Sequence, residues 1–338
     1  MTSRSSFFDL MRENLKRRIA LPALITVVFF FLFPVGTLML VDNYMRNPAT
    51  SALGLTDWDL TKRYIHDDFL QMQNAAGFLF VLIVLLAVVS GVNAFKFLHN
   101  ARKTDFYHSL PVSRVKLYTV SVVNSLLMTG VPYLVMAMAS AAITQVKTGY
   151  AGCLGYAFGN YLCGMGFFVM IFMTTVLAML LTGNLFTGIT GTIVFMFYGP
   201  VTVCTLDALM SGYFRTYYRI SAYVDELCAH TSPICWVAIG DGTNGHKAAA
   251  ALIVGVVLFA LCLKLYLMRR SEAAGTPMAF KLIKAPVKVL ITVTFALQAG
   301  LFAGGMTDES DVWTVFGMLC GAVLVHSVIE IIYNADFR

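Results

Sequence analysis

The chain has 338 residues, of which 58% are hydrophobic and only 12% charged, against about 25% charged in soluble domains. Its apolar residues gather in runs of about 20, the length that crosses a hydrocarbon core of roughly 30 Å, so composition excludes an ordinary soluble domain and predicts a polytopic membrane protein. The net charge of +6 is accounted for by basic residues flanking spans and gives no reason to invoke nucleic acid. Inside a bilayer every backbone polar group must be paired within the chain, and these runs are too long for barrel strands, so the predicted fold class is all-α.

At the N-terminus Phe7, Phe8, Met11, Leu15 and Ile19 recur at helical spacing, with Arg12, Lys16 and Arg17 between them. Ser6 and Asp9 match a capping box. The pattern predicts an amphipathic helix within 1–18, lying in the inner membrane interface. A plain basic flank before the first span is the alternative. The apolar run that follows has no small-residue cleavage site and reads as a signal anchor.

Eight spans are predicted, over 19–41, 76–98, 117–143, 155–181, 185–206, 248–268, 288–305 and 312–333. With the N-terminus inside, 17 of the 24 Lys and Arg residues fall on the inner side and 7 outside, while the last outer loop, "TDESD", is acidic. Both termini are therefore expected to be cytoplasmic. Two outer segments are long. The first, 42–74, is net acidic. The second, 207–247, is rich in Tyr and Trp, whose rings favour the membrane boundary, and predicts short helices dipping into the outer leaflet. Cys228 and Cys235 lie in it on the oxidising side, where a disulfide can form; two free thiols are the alternative.

Little in the spans points to chemistry. "GDGTNGHK", Gly240 to Lys247, lacks the Lys directly after its second Gly and the Ser/Thr of a P-loop. No zinc helix, nucleophile elbow or metal spacing of cysteines occurs, so no catalytic residue, metal or cofactor is predicted in this chain. His326 and Glu330 share a face of the last span and form a candidate intramembrane polar pair. Gly155–Gly159 and Gly317–Gly321 are GxxxG pairs, read as internal packing or as a dimer contact. The scarcity of membrane carboxylates argues against ion coupling. Energy for any transport would come from another subunit.

Between the second and third spans stands "RKTDFYHSLPVSRVKLY", Arg102 to Tyr118, in which large apolar groups sit among charges. Pro111 disfavours helix at Leu110, so the segment divides: a short helix ends there, and Ser113 caps the third span. The helix carries Phe106, Tyr107 and Leu110 on one side, with Lys103 and His108 elsewhere. It is either a knob for a partner's groove or a basic turn whose aromatics rest in headgroups.

"RKTDFYHSLPVSR" resembles the signature of ABC-2-type transporter permeases, in particular the antibiotic-peptide-exporter-like group of Gram-positive bacteria. "YLMRRSEAAGTPMAF", Tyr266 to Phe280, is similar to a second stretch of that group, just after its sixth span. The resemblance implies a type V six-helix permease core over 19–270, an N-terminal connecting helix over 1–18, and an inner linker with two additional C-terminal spans over 271–338. It implies a separate ATPase subunit that binds ATP and Mg and docks on a coupling helix bearing Lys103, Phe106, Tyr107, His108 and Leu110, with Arg114 beyond it. It also implies a second permease subunit, identical or different, around a shared path in a bacterial plasma membrane. The expected cargo is a peptide antibiotic or another amphipathic compound. A membrane sensor or assembly protein of a peptide-resistance system, signalling without transport, is the alternative.

Overall fold

The structure, a computed structural model, describes residues 7–46, 58–73, 77–109, 111–238, 245–307 and 310–334. In chain order the helices are α1 (Phe7–Arg17), α2 (Ala20–Phe30), α3 (Gly36–Arg46), α4 (Trp58–Gln73), α5 (Phe78–Phe95), α6 (Ala101–Ser109) and α7 (Arg114–Thr148). They continue with α8 (Cys153–Leu181), α9 (Leu185–Tyr213), α10 (Ser221–Thr231), α11 (Pro233–Ala238), α12 (Gly245–Met268), α13 (Lys281–Gly305) and α14 (Asp311–Asn334). Among the described residues, eight helices are long and apolar enough to cross a membrane, and the one β-bridge joins Thr182 to Met278.

The spans sit where the apolar runs place them, and their ends are set by local chemistry. α7 has 35 residues, about 52 Å at 1.5 Å per residue, longer than the apolar run alone suggests. The Ser113 hydroxyl accepts the Lys116 N–H at its start, and Gly149, at φ +76°, closes it. α4 falls in a segment read from sequence only as a long acidic stretch. Its buried stripe is Thr61, Ile65, Phe69 and Gln73, at strict i, i+4 spacing, and the two polar members hide the apolar period.

The chain divides into two compact units. The first comprises 1–94, 112–173 and 240–259. Here α2 passes into α3 through a π-turn at Phe31–Val35. Pro34 has no N–H to offer four residues back, and the Gly36 N–H instead reaches the Phe31 carbonyl. The turn lies beside a buried aromatic stack, with Phe29 and Phe33 at 5.1 and 5.6 Å from the Tyr133 ring and Tyr161 at 5.2 Å on its edge. Thr37, Gln73 and Ser140 form a buried hydroxyl–amide cluster. α1 lies on α7, where the Asn124 amide donates to the Met11 carbonyl at 2.8 Å.

The second unit comprises 95–111, 174–239 and 260–338. α13 and α14 form a tight antiparallel pair. A Cβ on Gly321 would lie 2.5 Å from that of Ala299, and one on Gly317 would lie 2.6 Å from that of Ala303. This GxxxG pair is an internal seam. Gly155 and Gly159, in the first unit, have nothing within 4 Å of an added Cβ. α10 and α11 supply short helices within 207–247, and the Ser232 hydroxyl donates to the Met196 carbonyl of α9.

Candidate coupling site

α6 is built by its own sequence. The Asn100 side chain accepts the Lys103 N–H at 3.2 Å and caps the first turn. The buried Thr104 donates its hydroxyl to the Phe97 carbonyl at 3.0 Å. The helix ends at Ser109, as Pro111 demands. Leu110 lies outside the described residues. Arg114 opens α7, behind the Ser113 cap.

The aromatic groups of α6 divide rather than forming one knob. Phe106 is 50% exposed, and Arg102, Lys103 and Asp105 are exposed with it. Tyr107 turns inward, its ring 4.6 Å from that of Phe97, and His108 faces Tyr266 at 6.4 Å. The surface open to a partner is therefore Phe106 within a charged surround. Tyr107 and His108 hold α6 to the spans.

The floor beneath α6 is the stretch Tyr266–Phe280. α6 packs against its 3₁₀ turn, Ser271–Ala273. Arg269, only 4% exposed, donates from Nη1 to the carbonyls of Met179 at 2.9 Å and Leu180 at 2.7 Å, and from Nη2 to that of Leu98 at 3.1 Å. Burial pulls its guanidinium down to about 10, the neighbouring Tyr266 phenol pulling the other way, so it remains a cation at neutral pH.

Beyond Arg269 the chain straps the turn between α8 and α9. Gly275 N–H donates to the Gly183 carbonyl at 2.8 Å, Ala279 N–H to the Leu181 carbonyl at 2.8 Å, and Thr187 Oγ1 to the Pro277 carbonyl at 3.0 Å. Gly275 sits at φ +88°, a conformation that favours glycine. His99 and Thr182 pair side chain to side chain at 3.3 Å. The carbonyls that a helix end leaves without partners are thus filled at the end of α8, from Met179 to Leu181, by Arg269 and Ala279.

The other predicted positions fall elsewhere. On α1, Phe7 and Met11 are half-buried, while Phe8 and Leu15 are exposed, so one stripe packs on protein and another stays open. Of the His326–Glu330 pair, Glu330 accepts from Lys288 of α13 and, at 3.2 Å, from Asn334, while His326, exposed on the same helix, acts on it through charge alone. The Cys228–Cys235 disulfide is not formed. Both are free thiols, and Cys228 of α10 lies near the Cys204 thiol of α9.

In the sequence Arg269 is one basic residue of the stretch Tyr266–Phe280, with nothing to set it apart from Arg270. Sequence reasoning also passed over Asp207, which accepts from the Tyr217 hydroxyl at 2.8 Å and pairs with Arg219 at 2.9 Å. That carboxylate holds the Tyr217 phenol above its usual range.

No family model matches the sequence, and neither a curated protein nor a solved structure matches it.

Proposed function

We propose that this chain is the permease subunit of an ABC-2-type exporter, driven by a separate ATPase that docks on α6 and moving a peptide antibiotic or another amphipathic compound. One observation carries the reading. The two stretches in which the sequence resembles such permeases lie some 160 residues apart, yet they pack together, α6 on Tyr266 and on Ser271–Ala273. A loop that only rested in headgroups would need no such floor. The proposal places α6 and both termini in the cytoplasm of a bacterium and pairs the chain with a second permease subunit in the plasma membrane.

The test is purification from native membranes. An ATP-binding cassette subunit should copurify with the intact chain and be lost with Phe106→Ala combined with Arg102→Glu. Equal recovery of the ATPase with that variant would refute docking on α6. Proteoliposomes holding both subunits should then show ATP-dependent flux. A bound ATPase without flux for any amphipathic peptide would instead favour the signalling role.

A further inference from the structure

We infer that Arg269 is the positioning residue that makes α6 and the end of α8 move as one body, so that a displacement of α6 by the docked ATPase reaches the spans. This rests on the proposed docking and names the element that transmits it. Arg269 follows the last residue of α12. From the end of α12 its planar fork reaches two segments that are remote in sequence, the last turn of α8 and the Leu98 carbonyl just before α6. Guanidinium presents five donors in fixed geometry, so Nη1 and Nη2 cannot serve their two sides independently.

The chemistry at both ends favours a cation. The last carbonyls of α8 are the negative end of its dipole. Leu98 lies within the 3₁₀ turn Lys96–His99, in which the neighbouring Phe97 carbonyl is already taken by Thr104 and Asn100. A lysine would keep the charge but bring one nitrogen in place of two, and could not span Leu98 and Leu180 together. Arg270, the next residue, is exposed and supplies the same charge outside this junction.

The experiment uses the complete permease–ATPase complex in proteoliposomes, with Arg269→Lys as the variant and Arg270→Lys as the control. For Arg269→Lys we expect wild-type recovery of the ATPase, unchanged substrate KM, and a transport kcat lowered about tenfold or more, the loss of one hydrogen bond to a charged group. ATP hydrolysis should continue, so the ratio of molecules moved to ATP consumed falls. Arg270→Lys should match wild type. A normal ratio in Arg269→Lys overturns the inference. So does a rise in KM at normal kcat, which would place Arg269 at the cargo. Failure of the wild-type chain to bind any ATPase removes the docking reading and this inference with it.

A second measurement keeps Arg269 in place and so does not depend on the variant folding. Spin labels at Lys103 of α6 and at Leu181, the last residue of α8, should keep one separation with and without ATP. A nucleotide-driven change between them overturns the rigid connection.

Discussion

Gly183→Ala should be among the most damaging conservative changes in the second unit. A Cβ there would lie 2.0 Å from the Ala273 carbonyl oxygen and 2.4 Å from that of Thr276. Both are backbone atoms of the strap, so no rotamer change relieves the contact. Overpacking costs about 1–3 kcal/mol. The strap must also move away, putting at risk the Gly275-to-Gly183 and Ala279-to-Leu181 hydrogen bonds, each worth about 1 kcal/mol. The expected loss is roughly 3–5 kcal/mol, the sum of those two effects. The assay is thermal or denaturant unfolding in detergent, followed by tryptophan fluorescence. Gly159→Ala is the matched control, since nothing stands within 4 Å of its added Cβ. It should be neutral or stabilised by up to about 1 kcal/mol through helix propensity. Equal stabilities of the two variants would refute the closeness of the strap to the α8–α9 turn, and with it the floor on which α6 rests.

Other outcomes separate packing from docking. Tyr107→Ala removes the ring packed against Phe97 and should cost about 2–4 kcal/mol, whereas Phe106→Ala, half exposed, should cost under about 1 kcal/mol in the isolated chain; the reverse order in the same unfolding assay would invert the assignment of the two faces. Gly317→Leu should split the α13–α14 pair, read as a lowered unfolding midpoint and protease cutting between the two helices; a wild-type midpoint would count against the seam. Burial, and then the Cys204 thiol, push Cys228 up to about 11. Only the thiolate is alkylated, so its labelling should be slow at pH 8 and climb roughly tenfold per pH unit until about pH 11, the folded value. The same shift lowers stability as pH rises from the ordinary thiol value toward 11, because the unfolded chain loses its proton first. A labelling plateau near pH 9 would contradict the buried placement.

What the sequence makes legible is what short-range chemistry decides. Pro111 and Ser113 mark the end of α6 and the start of α7 without reference to any other segment, and the apolar runs mark the spans. What it hides depends on neighbours. Along one helix, His326 looks like the partner of Glu330 because they are four residues apart. Lys288, 42 residues away, wins because the antiparallel register of α13 and α14 brings its ammonium to the carboxylate. Arg269 reads as one more basic flank because its value lies in three carbonyls, and no pattern in residues 98 or 179–180 announces that they need a donor. Tyr107 and Phe106 look equivalent until Phe97 takes one of them.

The last two spans belong to the second unit through polar contacts as well as glycine packing. On α13, the Thr294 hydroxyl donates to Tyr198 of α9 at 3.1 Å, and the Tyr198 hydroxyl donates in turn to the Leu290 carbonyl at 3.3 Å. One α-helical turn further, the Gln298 amide donates to Thr205 at 3.0 Å. Hydrogen bonds between membrane helices contribute roughly 0.6–2 kcal/mol each, a modest gain because the separated helices also find partners for these groups. This seam occupies the face of α9 that carries Tyr198 and Thr205. The stripe of Phe186, Ile193 and Phe197, about 100° around the helix at 3.6 residues per turn, stays exposed. On the proposed reading, a second subunit approaching α9 would therefore meet an apolar stripe and not the hydroxyl-rich one, which already holds α13.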